Sequence, residues 1–350
     1  MTPPPRLSVL VVTYNEHDVI GACLEALRPQ LEEGDELIVA DNASDDDTLT
    51  IVEQLAPEAK IIRMATNDGY MPACNEAARR ASGELLLLID ADAVVAPGFC
   101  TEIREPMRNG SNWGTWMGLL TMGSGRLINT SGGVVHFTGI SWAGQIGEDV
   151  GIVPTGLREV PFASGACMAV RADTWRALDG LPESFFLYCD DVDLSLRVRL
   201  IGQGVGIVPT ARADHLYDFT KRRVKWRLLE RNRWATVLRT YPAELLLLLI
   251  PALLATDLAL LLVALRAGWL PEKLKATGDV LRALPRLRRE RRKIQAQRRI
   301  SAAEFASHLT ADLSSPYLGS AARSRLLRQL LLGYWRLVGR ILRSSDAGRA

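Results

Sequence analysis

Five consecutive apolar residues, Leu85-Leu86-Leu87-Leu88-Ile89, run straight into Asp90-Ala91-Asp92. An unbroken apolar run suits a strand covered on both faces, as in a parallel sheet lined by helices. Two carboxylates one residue apart at its end can reach one divalent cation and a diphosphate. Oxygen ligands of this kind suit Mg²⁺ or Mn²⁺. Taken alone, an Asp-x-Asp triplet is equally a solvated turn after a strand, so its surroundings decide.

Those surroundings alternate strand and helix. Leu7–Val12 is apolar and rich in β-branched residues, and His17–Leu31 carries Ile20, Leu24, Leu27 and Leu31 at helical spacing. Glu36–Ala40 reads as a second strand, and Ser44 is placed to cap a helix over Asp45–Leu55. A third strand over Lys60–Met64, a helix over Pro72–Ala81 and the strand Leu85–Ile89 complete the series. This alternation predicts an α/β fold with a parallel sheet, whose ligands bind beyond the carboxyl ends of the strands. Polar residues stand at those ends: Thr13-Tyr14-Asn15-Glu16, Asp41-Asn42-Ala43-Ser44, Asn67-Asp68-Gly69 and Asp90-Ala91-Asp92. Together they point to a nucleotide pocket.

These segments, with Tyr70 and Asn75, Phe162-Ala163-Ser164-Gly165-Ala166, Tyr188-Cys189-Asp190-Asp191-Val192-Asp193-Leu194, Arg197 and His215, resemble the ordered motifs of family-two glycosyltransferases. The resemblance covers roughly residues 6–240, and its closest flavour is the rhamnosyltransferase-like branch. It implies a GT-A nucleotide-diphospho-sugar transferase fold, a Rossmann-like mixed sheet, in a domain over residues 1–240. By resemblance, Asp41 contacts the nucleobase and Thr13, Tyr14 and Asn15, with Glu16, form the turn that walls it. Asn67, Gly69 and Asn75 join the donor site; Asp90, Ala91 and Asp92 hold the ribose-diphosphate and its metal. Ser164, Gly165 and Ala166 border the acceptor. His215 becomes a third metal ligand, and an imidazole among carboxylates tilts the choice toward Mn²⁺ over Mg²⁺. The chain departs from the usual pattern in having Asp190-Asp191 for Glu-Asp and Ala77 for a small Gly.

Asp190 and Asp191 open a helix that Leu194, Leu196, Val198 and Ile201 continue and Gly202 stops. Acidic residues there serve capping, or else one faces the anomeric carbon as general base. The resemblance points to Asp191 as that base, with Asp190 beside it. Asp193 and Arg197, four apart, read as a helix-face ion pair worth about 0.3–0.5 kcal/mol. Residues 106–160 are rich in glycine, with Trp113, Trp116 and Trp142 interspersed. The tryptophans suit either a sugar-stacking surface or a core. His136 reads as a core or acceptor-loop residue.

From Pro242 onward the chain changes. Leu245–Leu265 contains one charge, Asp257, and is long enough to cross a bilayer of ~20 helical residues. Tyr241 and Trp269 flank it in the manner of interfacial aromatics. Against a simple span stand Asp257, at a cost of about 2.5–3.5 kcal/mol on insertion scales, a kink expected at Pro251, and the cationic run Arg286–Lys293. Positive flanks stay cytoplasmic, so residues 241–270 read as re-entrant or in-plane helices and 271–350 as a basic amphipathic tail. In Ser324–Arg343 the apolar residues around Trp335 fall on one side of a helical wheel and the arginines on the other.

Charge follows the same division. Pro271–Ala350 holds 18 Lys/Arg against 6 Asp/Glu, leaving 24 basic and 34 acidic residues before it. A basic tail behind an acidic body suits an anionic membrane surface. The basic segments are interleaved with aliphatics and carry no nucleic-acid motif, so no nucleic-acid partner is expected. Five scattered cysteines without a CxxC pair argue against disulfides or zinc, and no signal peptide core precedes Leu7. The expected protein is a membrane-associated enzyme of the cytoplasmic face. It moves a sugar, with inversion, from a dTDP-, UDP- or GDP-sugar donor to a glycan or polyprenyl-linked acceptor. A sugar nucleotidyltransferase is the alternative, but the turn after strand one lacks its Gly-rich basic phosphate loop. A non-catalytic membrane scaffold of the same fold is opposed by the complete carboxylate set.

Overall fold

The computed structural model describes residues 4–215, 224–313 and 324–347; the reading of the first three residues and of the last three lies outside these. The chain divides into two compact units. The first comprises Met1–Gly133, Ala143–Val198 and Gln203–Phe219, and the second Val134–Trp142, Arg199–Gly202 and Thr220–Ala350.

The first unit opens with β1 (Leu7–Thr13), α1 (Ile20–Leu27), β2 (Glu36–Asp41), α2 (Thr48–Leu55), β3 (Lys60–Arg63), α3 (Tyr70–Arg80) and β4 (Leu85–Asp90). All seven residues of β1 are buried, as a strand covered on both faces must be. The four strands are parallel in the order β3-β2-β1-β4. Register puts Thr13 opposite Asp41 and Val12 opposite Asp90, so the polar strand ends finish at one level. The expected helices form with shifted starts. The helix predicted over His17–Leu31 begins only at Ile20 and gives way to a 3₁₀ turn at Arg28–Gln30, where Pro29 cannot donate to an α-helical ladder. α2 starts at Thr48 with no cap from Ser44, whose hydroxyl instead accepts the Asn15 N–H at 2.9 Å.

The sheet then becomes mixed and ten-stranded. After β5 (Ala93–Val95), α4 (Phe99–Glu102) and α5 (Glu105–Arg108) come β6 (Trp113–Met122), β7 (Leu127–Thr130), β8 (Gly133–Val135), β9 (Ser141–Ala143) and β10 (Arg158–Glu159). β11 (Cys167–Arg171), α6 (Ala172–Ala177), α7 (Asp190–Leu200) and β12 (Gly204–His215) follow. β11 lies antiparallel between β4 and β6, β12 runs parallel to β6, and β8 pairs with β9. Trp113 and Trp116 of β6 are core, Trp116 donating its indole N–H to the Ile103 carbonyl at 2.7 Å. Trp142, in the second unit, is buried as well. No sugar-stacking role is open to these rings.

Asp193 and Arg197 correct the surface-pair expectation. Both are buried, 2.6 Å apart, and the guanidinium also donates to the Leu178 and Gly180 carbonyls. The spacing that makes an exposed helix pair makes a buried one when the helix face turns inward.

The second unit contains α8 (Val224–Thr240), α9 (Ala243–Arg266), α10 (Leu270–Ala296), α11 (Ala302–Ser307) and a last described helix, labelled α12 (Arg325–Ala347). α9 is one helix running through Pro251, and it alone among the described helices is long and apolar enough to cross a membrane. The flanking aromatics are not interfacial: Tyr241 is fully buried with its ring edge-on to Phe305, and Trp269 is buried against Trp226. Nor is α12 free along its whole apolar side. Val338 and Leu342 are buried, and Trp335 stacks on Phe137 at 4.9 Å.

Candidate active site

The described site lies within the first unit and grows from the aligned strand ends. Asp90 ends β4 and Asp92 follows in the turn to β5. β5 then runs antiparallel to β12 with Ala93 opposite His215, which delivers the imidazole beside that turn. The His215 Nε2 lies 3.2 Å from Asp92 Oδ1 and 3.8 Å from Asp90 Oδ2. Donor atoms of the three residues all fall within 4.8 Å of one another.

Negative charge is concentrated here. Burial, then the Asp90 and Asp92 carboxylates, push the Glu16 carboxyl up to about 7. Asp90 is raised to about 6, again chiefly by burial, although His215 opposes the rise. Burial works against charging His215, but the two aspartates prevail and its pKa is raised. Two carboxylates and an imidazole converging in a partly dry site are a donor set that fits a divalent cation. A divalent cation held there would offset the concentrated negative charge.

The second carboxylate pair begins α7. Asp190 is buried, and burial followed by repulsion from Asp191 holds its pKa well above the carboxylate range. Asp191 is half-buried and raised by burial to about 6, while the N–H groups of Gly165 (3.3 Å) and Val192 (2.7 Å) donate to its two oxygens. Of the two, Asp191 is the less buried, and it is held by two backbone N–H groups. The backbone leading to the pair is strained, with Phe186, Tyr188 and Cys189 at φ of +66°, +73° and +63°.

Other expected residues take more varied positions. Asp41 is buried at the end of β2, its carboxylate accepting the Ser44 N–H at 3.2 Å. Asn15 pairs reciprocally with Asp45, its amide donating at 2.7 Å and accepting the Asp45 N–H at 2.9 Å. Thr13 is buried beneath, whereas Tyr14 is exposed and available to a flat ligand. Asn67 accepts from Asn42 and from the Gly69 N–H, shaping the turn into α3. At Gly69, φ is +106° and a Cβ would come within 2.7 Å of the Phe186 Cα, so only glycine fits. Asn75 faces inward. It exchanges two hydrogen bonds of 2.9 Å with the Leu181 backbone and braces the segment before Asp190. Ser164, Gly165 and Ala166 line the approach through backbone: Ser164 N–H meets Met117 Sδ, Gly165 meets Asp191, and the Ala166 carbonyl accepts the Asp90 N–H. Ala91 is buried, and His136 is a buried residue of the second unit.

Two residues quoted within the motifs but given no role there take part. Tyr70, at the start of α3, sets its hydroxyl against Asp90 while its N–H donates to the Phe186 carbonyl at 2.8 Å. Asn42 donates to Asn67 and to the Gly69 carbonyl, each at 3.0 Å, joining the ends of β2 and β3. The available signal was their place inside the motifs: each stands next to a residue that was given a role.

Residues 8–172 match a model of glycosyl transferase family 2. Among curated relatives, the chain is 25% identical over 246 residues to the O-antigen biosynthesis protein RfbC of Myxococcus xanthus, covering 66% of this chain and 18% of that protein. It is 35% identical over 91 residues to a PGL/p-HBAD biosynthesis glycosyltransferase of Mycobacterium tuberculosis, covering 25% of this chain and 36% of the relative. The chain thus spans only a minor part of these relatives' lengths. In fold it is similar to S. aureus TarS in complex with UDP (TM-score 0.54, 16% identity, 97% of this chain and 92% of that one). It is also similar to the mannosyltransferase PcManGT from Pyrobaculum calidifontis in complex with GDP-Man and Mn²⁺ (TM-score 0.51, 21% identity, 85% and 86%). The curled mixed sheet, the aligned strand ends and the match over residues 8–172 agree: that part of the chain is a glycosyl transferase family 2 domain, and its fold is of the GT-A kind.

Proposed function

We propose that the protein catalyses inverting, metal-dependent transfer of a sugar from a nucleotide-diphosphate donor to a glycan or polyprenyl-linked acceptor at the cytoplasmic face of a membrane. One observation carries the reading: Asp90, Asp92 and His215 converge in the same unit as an ionisable, backbone-held Asp191. In this reading Asp41 recognises the nucleobase and Tyr14 covers it, with Thr13, Asn15, Asn67 and Gly69 holding the wall. Asp90, Asp92 and His215 hold Mn²⁺ or Mg²⁺, which when bound neutralises the diphosphate and stabilises it as leaving group. That similar folds are known with Mn²⁺ and with UDP or GDP-Man supports the donor class.

The chemistry left to the side chains is proton transfer and positioning. Asp191 takes the proton of the acceptor hydroxyl. The hydroxyl oxygen bonds to the anomeric carbon from the side opposite the diphosphate, and the carbon–oxygen bond to the diphosphate breaks with its electron pair on the leaving oxygen. Asp190 beside it is buried, and burial and the Asp191 charge raise its pKa well above the carboxylate range, so the pair resists carrying two full charges. The relatives named for O-antigen and PGL/p-HBAD biosynthesis support an envelope glycan or lipid-linked acceptor. A panel of UDP-, dTDP- and GDP-sugars, assayed with Mn²⁺ or EDTA, tests the proposal. Binding and turnover of a nucleotide sugar abolished by EDTA are expected, and turnover indifferent to the chelator would refute the metal role.

A further inference from the structure

The single charge of the apolar stretch Leu245–Leu265 within α9 faces inward. Asp257, in the middle of α9, is ion-paired with Lys273 of α10 and accepts the Trp234 indole N–H at 2.9 Å. Lys273, 1% exposed, also reaches Glu230 of α8 at 2.6 Å, and Arg233 bonds Glu230 at 2.9 Å. This network fastens the centre of α9 to two helices studded with charge. The opposite side of α9 is uncovered: Leu247, Leu254, Leu258 and Leu265 are each at least 60% exposed, with Ile250 and Leu262 beside them. Their spacing of three to four residues makes one stripe along a helix about 36 Å long. A continuous exposed apolar stripe of that length marks a binding surface rather than scattered surface leucines.

We propose that this stripe is an in-plane docking face for an anionic lipid surface; the inference rests on the membrane-face reading above and specifies its surface and orientation. Geometry argues against a span, because a vertical α9 would draw α8 and α10 into hydrocarbon through the Lys273–Asp257–Glu230 network, together with exposed Arg282, Arg286 and Arg289. Lying flat, the helix buries its leucines at the headgroup boundary and leaves the network in protein. Charge selects the partner. α10 and α12 both pack on α9, and they expose Arg282, Arg289, Arg292, Arg336 and Arg340. A two-fold contact with a second copy sets each such patch against itself and brings like charges together, whereas anionic headgroups complement them.

The test uses full-length protein and no sugar donor, so the result is independent of whether the catalytic reading holds. Vesicles of phosphatidylcholine with 30 mol% phosphatidylglycerol, against pure phosphatidylcholine, are floated with wild type, Leu254→Glu/Leu258→Glu and Arg336→Glu/Arg340→Glu. Wild type is expected to float with the anionic vesicles, and each double variant to lose at least about tenfold in partitioning, with unchanged melting curves. A fluorophore on Leu247→Cys, Leu258→Cys or Leu265→Cys should report one shallow depth at all three positions. A depth gradient through the bilayer centre overturns the in-plane assignment. Failure of wild type to float, or a vesicle-independent dimer dissolved by Leu254→Glu/Leu258→Glu, overturns the lipid assignment.

Discussion

Asp190 and Asp191 are identical in chemistry, and only their surroundings separate them. Asp191→Asn preserves shape and hydrogen bonding but cannot accept a proton; kcat should fall roughly 10²–10⁴-fold while donor affinity, read by calorimetry, persists. A crippled Asp190→Asn beside an active Asp191→Asn would reverse the assignment. The same residue sets a pH limit. Its pKa is raised to about 6, so the carboxylate is ionised above that value and protonated below it. Rate should therefore be lost as pH drops through about 6, a limb that Asp191→Asn lacks in a pH–rate profile. At the proposed metal site, Asp92→Asn removes one of the proposed ligands from a turn outside the core. It should fold normally, show no thermal shift with Mn²⁺ and lose metal-stimulated turnover; near-full activity in chelator would remove Asp92 from the metal assignment.

Elements place these residues, and their weak points follow from burial. α7 hangs on the Asp193–Arg197 pair and the two carbonyls that the guanidinium bonds. Arg197→Ala leaves a buried carboxylate without its cation and should cost about 3–5 kcal/mol in chemical denaturation, far beyond a surface pair. A loss under 1 kcal/mol would return the pair to the surface class. The element spacing itself was readable: β1, β2, β3 and β4 agree with the expected strands to within one residue at each end. Helix starts were less so, because Ser44 and Asp45 bind Asn15 across the site instead of capping α2.

At the scale of the whole molecule, charge is divided along the chain, and the division has a topological consequence. The tail from Pro271 carries a balance of +12, and such segments resist translocation. With the catalytic portion cytosolic, as proposed above, Ser345→Cys in intact cells should be shielded from an impermeant thiol reagent. Labelling from outside would make α9 a span. Of the native thiols, Cys23, Cys74, Cys100 and Cys167 are buried and Cys189 is half-buried, so the unsubstituted protein serves as the labelling control.

Local periodicity alone determined the strand–helix alternation, the polar strand ends and the apolar character of α9, because each depends on residues a few positions apart. Which side chains meet was decided by the tertiary structure. His215 reaches Asp92 only through the pairing of β5 with β12, and Asn75 finds Leu181 at a separation of 106 residues. Asp257 reads as a liability in a membrane helix until Lys273 and Trp234 are packed against it. Strand order, register and the inward turn of a helix face are long-range outcomes of packing, and no short window of sequence contains them.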